Sequence, residues 1–525
     1  MPWDDELKQP VDGWDVTRRE FMGRAAALGV STALATSLVG APVRAQTGPQ
    51  KGGNLKLGID GAESTDSLDP ATVSSTYPGV VTMQWGNCLV EIDANNEAIP
   101  ELAESWEPNA DATQWVFKLR KGVQFHNGKE MTAADVVHSI NYHRNEKSES
   151  GAKGYLEPIA DVKASDTHEV TITMATRHAD VPYIMADFHL VIMPEDSDPA
   201  SGIGTGAFVI EAFEPGLRTV ATRNPNYWKE GRGHVDRVET LAINDLTART
   251  SALQTGSVHF ISRVDPKTVS LLERAPNVTV LNVPSAAHYT FPMRCDIPPF
   301  DNVDLRLALK HAVDRQDIVD KILRGYGKVG NDHPIPEFDP FYAADLPQHE
   351  FDPDKAKHHF RKAGVDGPVV LYISDAAFTG ATDAAILFKE HAARAGIAIE
   401  VQRTPEDGYW SDVWMQKPFF GSYWTGRPTA DLMLSVAYKS DAPWNEAFWK
   451  REDFDKVLAA ARGELDSGKR KQMYHDLQEM IWRDGGQLIP MFNNVLFAGR
   501  NDLGGFVPSP VMTGLRVAEQ LYFAG

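Results

Sequence analysis

Between Tyr409 and Trp449 the 525-residue chain carries eleven aromatic side chains, and five of its twelve tryptophans (Trp410, Trp414, Trp424, Trp444 and Trp449) fall within 40 positions. Aromatic rings combine broad apolar faces with polar edges, so a cluster of this density suits the wall of a small-molecule pocket. Tyr423 and Trp424 stand beside Arg427 and Asp431, the nearest charged groups that could orient a bound molecule. Some of the rings must also fill a core. Signatures of covalent chemistry are missing: no HExxH, no CxxC, no GxSxG elbow and no phosphate loop ending in GK[ST]. The run Gly202-Ile203-Gly204-Thr205-Gly206-Ala207 lacks the GxGxxG spacing. His358-His359 is the tightest histidine pair, but neighbours on a helix point about 100° apart and make a poor two-point metal site. No metal and no cofactor is expected.

Elements able to hold such a pocket alternate along the chain. Leu55, Leu57 and Ile59 alternate with polar residues or glycine and read as a strand, as do Val170, Ile172 and Met174. Trp115, Phe117 and Leu119 predict a strand that Lys121-Gly122 turns back into Val123–Phe125 as a hairpin. Thr132 with Asp135 has capping-box spacing and opens a helix whose apolar face is Val136, Val137 and Ile140. Asp314 caps a second helix, with Ile318, Val319, Ile322 and Leu323 as its stripe and Gly325 at its end. A long helical zone, Phe454 to Trp482, places Leu458, Leu465 and Leu477 at helical spacing. The class is mixed α/β, and 525 residues exceed what one core supports, so at least two domains are expected.

Thr17-Arg18-Arg19-Glu20-Phe21-Met22 is a twin-arginine pattern, followed by the uncharged stretch Ala25–Gly40 and by Val43-Arg44-Ala45, a small-residue cleavage site. Residues 1–45 therefore read as an export signal for the twin-arginine route, and the mature protein is expected in the periplasm. A net charge of −20 argues against nucleic acid, whose phosphates require clustered Lys and Arg. Cys88 and Cys295 lie in apolar contexts, and two buried free thiols are expected.

Taken together, several blocks resemble the extracytoplasmic solute-binding proteins of family 5, the oligopeptide, dipeptide and nickel group. They are Ser67-Leu68-Asp69-Pro70, Leu89-Val90-Glu91, the run from Pro100 to Ile140, Gly204–Phe208, Asn224–Trp228, Leu253–Gly256 and Phe300–Gly327. The resemblance spans about Gly52 to Phe523. It implies a two-lobed fold of the type II periplasmic-binding class, with an extra subdomain and the ligand enclosed between the lobes. On that pattern lobe I takes 46–82, its subdomain 83–185, lobe I again 186–283, lobe II 284–498, and 499–525 returns to lobe I. The implied function is that of a monomer which closes on short peptides or peptide-like solutes. It then delivers them to an ABC permease and its ATPase without making or breaking a bond.

In peptide binders of this group an aspartate pairs with the ligand's ammonium, and Asp431 stands in the matching segment, although the usual Asp-Pro is absent. Its alternative is a helix N-cap. Arg427 is a carboxylate partner for the ligand on the same resemblance. Thr76, Tyr77, His288 and Tyr289 match cleft-lining positions, and Trp424, Tyr423 and Trp410 complete the expected site. Oligosaccharides, opine-like amines and metal chelates stay open as ligands, as do a periplasmic hydrolase and a sensor component.

Overall fold

The computed structural model describes residues 48–406, 408–511 and 514–524. The twin-arginine segment and its cleavage site lie outside them. Residues Pro49–Phe523 form one compact unit.

Lobe I is built on a seven-stranded sheet whose order is Val278–Val283, Val495–Arg500, Phe260–Ile261, Asn54–Ile59, Arg237–Ala242, Arg218–Arg223 and Phe208–Glu214. The central strand Asn54–Ile59 runs parallel to both of its neighbours. Leu55, Leu57 and Ile59 are all buried, as their alternation requires. They pack with Tyr77, Val80, Phe208 and Phe497 in one core.

The subdomain inserted into this lobe carries an antiparallel sheet ordered Ala103–Pro108, Gln114–Leu119, Glu169–Met174, Ile159–Asp166. Trp115, Phe117 and Leu119 face its core together with Val170 and Ile172. The predicted hairpin partner is different. Gln114–Leu119 pairs with Ala103–Pro108, whereas Val123–Phe125 makes only an isolated bridge between Gln124 and Glu130. Gly122 (φ 75°) does turn the chain there, but a three-residue run leaves no length for a ladder. The helix Ala133–Arg144 opens with the expected capping box of Thr132 and Asp135.

Lobe II combines a four-stranded sheet (Gly327–Val329, Gln487–Asn493, His288–Pro292, Ser422–Trp424) with the parallel pair Val369–Ile373 and Ile399–Arg403. Asp314 caps the helix Arg315–Ile322, accepting from the Asp317 amide. The helical zone after Phe454 is two helices, Glu452–Gly463 and Ser467–Asp484. Asp466 caps the second, which breaks the helix at Glu464–Asp466 and leaves Leu465, expected on the apolar stripe, 41% exposed.

Two strand-to-strand connections join the lobes. Val278–Val283 leads through Pro284–Ala287 into His288–Pro292, and Gln487–Asn493 leads through Asn494 back into Val495–Arg500. The chain therefore re-enters the lobe I sheet at Val495. The two connections are tied by Ser285 Oγ donating to the Asn493 carbonyl (3.0 Å) and Asn494 Nδ2 to Asn282 Oδ1 (2.8 Å).

Candidate ligand-binding site

His288–Pro292 and Ser422–Trp424 pair antiparallel, with Tyr289 opposite Tyr423 and His288 opposite Trp424. Side chains alternate along a strand, so Tyr289 and Tyr423 share one face and His288 and Trp424 the other. On the first face Tyr289 stacks on Phe378 at 4.1 Å, and Tyr423 meets Trp410 edge-on at 5.7 Å. Trp410 rides on the short helix Tyr409–Asp412, fastened by the buried Tyr409 hydroxyl, which donates to the Gly421 carbonyl (2.8 Å). Trp410 and Tyr423 remain 40% and 45% exposed. The result is an aromatic shelf, and large rings left open together mark a binding surface.

The lobe I side is formed where parallel strands end. Asn54–Ile59 and Phe260–Ile261 finish side by side at Asp60 and Ser262, and open α/β sheets take ligands at such carboxyl ends. Ser262 Oγ donates to Asp60 Oδ1 (2.6 Å), and Arg263 pairs with Asp60 at 3.4 Å while its side chain stays 80% exposed. Arg263 holds a left-handed φ of 49°, a conformation costly for a side chain of its type. Burial raises the pKa of the Tyr289 hydroxyl, and the Arg263 charge opposes that rise.

The structure brings Tyr289, Tyr423 and Trp410 together. Thr76 is half-buried at the start of the helix Thr76–Trp85, close against Gly61, which follows Asp60. Tyr77 belongs elsewhere. It is wholly buried in the lobe I core, its hydroxyl bonded to Thr219 Oγ1 (2.9 Å) and to the Thr240 carbonyl (3.2 Å). One helical step turns it inward, away from any ligand.

His288 and Trp424 occupy the inner face. Trp424 Nε1 donates to Glu446 Oε2 (2.9 Å). Glu446, a residue that sequence reasoning missed, also accepts from Trp414 Nε1 (2.6 Å), Ser422 Oγ (2.5 Å) and Gln487 Nε2 (3.2 Å). Burial raises its pKa and these donors hold it down. It is the buried post that fixes two of the clustered tryptophans. No spacing signal marks it, because its partners come from three separate segments.

Asp431 is neither a helix cap nor a carboxylate awaiting a cation. Thr429 caps the helix Ala430–Ala437, accepting from the Leu432 amide (3.2 Å). Asp431, 1% exposed, accepts from Arg462 Nε at 3.0 and 3.2 Å, with Tyr474 Oη at 3.4 Å and His178 Nε2 at 3.9 Å. Burial raises its pKa and Arg462 opposes this. The carboxylate's positive partner comes from its own chain.

His178 belongs to the subdomain of lobe I, and it is not the only crossing. Asp180 pairs with Arg470 at 2.7 Å, the Ala179 amide donates to the Arg462 carbonyl (2.7 Å), and Asn96 Nδ2 donates to the Pro428 carbonyl (3.3 Å). These contacts link the lobes a second time, separately from the connecting strands. Against those strands lies a cavity of about 510 Å³, lined in part by Ser285, His333, Phe338, Tyr342 and Phe492.

The family model for bacterial extracellular solute-binding proteins, family 5 (middle region), matches residues 97–446. The chain belongs to that family. It is 24% identical over 479 residues to the glutathione-binding protein GsiB of Pectobacterium atrosepticum, covering 87% of this chain and 91% of that one. Its fold matches HbpA2 of Haemophilus parasuis with a TM-score of 0.80 at 22% identity, over 90% of this chain and 100% of the other. It also matches the ABC transporter-associated periplasmic binding protein DppA of Helicobacter pylori, solved with the peptide STSA. There the TM-score is 0.73 at 21% identity, over 91% of this chain and 99% of that one. The architecture is the two-lobed periplasmic-binding fold. Among the described residues both cysteines are free thiols, no group of three His, Cys, Asp or Glu is placed to hold a metal, and no helix is long and apolar enough to cross a membrane.

Proposed function

We propose that this chain is the solute-capturing component of an ABC-type importer and encloses a short peptide or peptide-like solute between its lobes. The observation that carries this reading is the aromatic shelf of Tyr289, Phe378, Tyr423 and Trp410, open at its outer end. Such a shelf takes apolar side chains and stacks on amide planes, while the strand ends opposite supply hydrogen-bonding groups. A relative named for glutathione, itself a tripeptide, and a fold neighbour solved with a tetrapeptide support the peptide class. A ligand that touches both lobes favours the closed form by that differential contact. No bond is made or broken. On this reading the twin arginines Arg18 and Arg19 send the folded protein to the periplasm, where it meets its permease and ATPase as a monomer.

Mass spectrometry of whatever is released from freshly purified protein tests this directly. A thermal-shift screen with short peptides complements it, since a ligand stabilises the native state by RT ln(1 + [L]/Kd). A peptide released, and a shift with it, is the expected result. A released oligosaccharide or opine-like amine would move the substrate class, and steady turnover of the bound compound would replace binding by hydrolysis.

A further inference from the structure

Where the subdomain of lobe I meets lobe II, buried charges are arranged as a plug and a socket. Arg470 is the socket. Its Nε donates to the Ala461 carbonyl (3.1 Å), and its guanidinium lies over the rings of Phe341 (5.0 Å) and Tyr474 (5.4 Å), all groups of lobe II. Among the described residues one carboxylate pairs with it, that of Asp180 on the subdomain, at 2.7 Å. Asp180 stands at the cap position of the short helix Val181–Ile184, yet its side chain leaves that helix uncapped and reaches across the lobes. At 1% exposure its charge would be costly without the Arg470 partner.

Backbone and shape complete the contact. The Ala179 amide donates to the Arg462 carbonyl (2.7 Å), which lies in the last turn of the helix Glu452–Gly463, where carbonyls lack partners in their own helix. Gly463 ends that helix so close to Arg177 that a Cβ built on it would collide with the Arg177 Cβ and lie 3.0 Å from its Cδ. Nearby, Asn96 Nδ2 donates to the Pro428 carbonyl (3.3 Å), next to Arg427, whose Nη1 is spent within its own loop on Thr425 Oγ1 (2.7 Å). His178 adds little. Its Nδ1 accepts from the Asp180 amide (3.2 Å), so the ring is neutral, and its Nε2 stays 3.9 Å from Asp431. Every one of these bonds joins the protein's own groups, and none involves the aromatic shelf.

We propose that Arg177, Ala179 and Asp180 of the subdomain form a ligand-independent latch with Arg470, Gly463 and the Arg462 backbone of lobe II. The latch holds the lobes together before a ligand arrives. Arg470 is already fixed by Ala461, Phe341 and Tyr474, so little ordering remains to be done when Asp180 docks. A closed form that is populated in advance strengthens apparent binding in proportion to its fraction, so residues that never touch a ligand help to set its affinity. This holds whatever solute the cleft takes.

The test uses the mature protein freed of bound solute by unfolding and refolding, with small-angle X-ray scattering and amide hydrogen exchange as readouts. Ala179 is the reporter, because its amide bond crosses the lobes. The wild type should give the scattering curve calculated from this structure, with Ala179 protected. Gly463→Ala, Asp180→Asn and Arg470→Met should each enlarge the radius of gyration and speed exchange at Ala179 about 10-fold or more. Arg470→Lys should fall between them and the wild type. Gly463→Ala decides where the charge variants fold poorly, since alanine suits a helix better than glycine and leaves lobe II intact. A wild type that is open without solute would overturn the latch, as would variants with wild-type scattering and exchange. Loss of protection throughout lobe II in Gly463→Ala would overturn it too, by making the contact part of the fold of that lobe.

Discussion

Asp431 separates two accounts of this protein, one in which it anchors a ligand and one in which it holds the fold together, and exchanging it for asparagine decides between them. The carboxylate is 1% exposed and receives both its close hydrogen bonds from the Nε of Arg462, whose side chain is 24% exposed. Asp431→Asn keeps the shape and removes the charge. Arg462 then loses a charge-assisted bond but can still reach water, so the cost should be about 2 kcal/mol. Arg462→Met is worse, because it strands a buried carboxylate beside Asp180, and about 3 kcal/mol is expected, the lower end for a broken buried pair. For a lobe of about 200 residues these correspond to roughly 4–8 °C and 6–12 °C of Tm. The double variant should cost less than the sum of the two, because each single change leaves the other group uncompensated. Thermal denaturation gives the stability and calorimetry on the folded fraction gives the affinity. The internal-pair account predicts lowered Tm with peptide affinity changed by less than about threefold. An Asp431→Asn protein with the wild-type Tm and an affinity reduced 100-fold or more would refute it and restore the ammonium anchor.

Trp410→Ala and Tyr423→Ala remove rings that are already open to solvent, so ligand affinity should fall about tenfold with Tm within 2 °C of wild type, measured by calorimetry and thermal shift. Arg516 forms a two-pronged pair with Glu101 (2.6 Å each) and also meets Glu519 at 3.1 Å, so Arg516→Met leaves these two buried carboxylates to Lys229 alone (3.4 and 3.3 Å) and should cost about 3 kcal/mol in denaturant unfolding. His143, His288, His333 and His349 are buried with pKa values lowered to about 4, chiefly by burial. The unfolded chain takes up their protons near 6.5 and the folded one resists, so stability is full above pH 6.5 and is lost as pH falls toward 4; His333→Phe should flatten that decline. Burial raises Asp339 to about 7, which has the opposite sign. The folded state prefers the neutral acid, so stability drains as pH rises from 4 to 7, and Asp339→Asn should be more stable than wild type at pH 8. Arg18→Lys with Arg19→Lys should leave the precursor in the cytoplasm on fractionation, and unchanged export would exclude the twin-arginine route.

What the sequence determined by itself is local or repeated. The alternation at Leu55, Leu57 and Ile59, the capping box at Thr132 and the Asp314 cap depend on neighbours within a few positions, and all three reappear in the fold. The family resemblance was legible too, because it sums many weak blocks over the whole mature chain, and the family match from 97 to 446 shows it. The aromatic cluster could be counted but not sorted. Which rings face a ligand depends on the pairing of Tyr289 with Tyr423, strands 134 positions apart, and on which side of that pair Glu446 sits. A step of one residue reverses the face, which is how Tyr77 and Trp424 turn inward beside Thr76 and Tyr423. Asp431 shows the limit most clearly. Its segment resembles a ligand anchor, but the cation that neutralises it lies 31 residues on, one helix away, and its imidazole neighbour comes from the other lobe. Charge pairs of that kind exist only once the lobes have met. Tertiary structure therefore decided which charges were already spent inside the protein, as it did for Asp431.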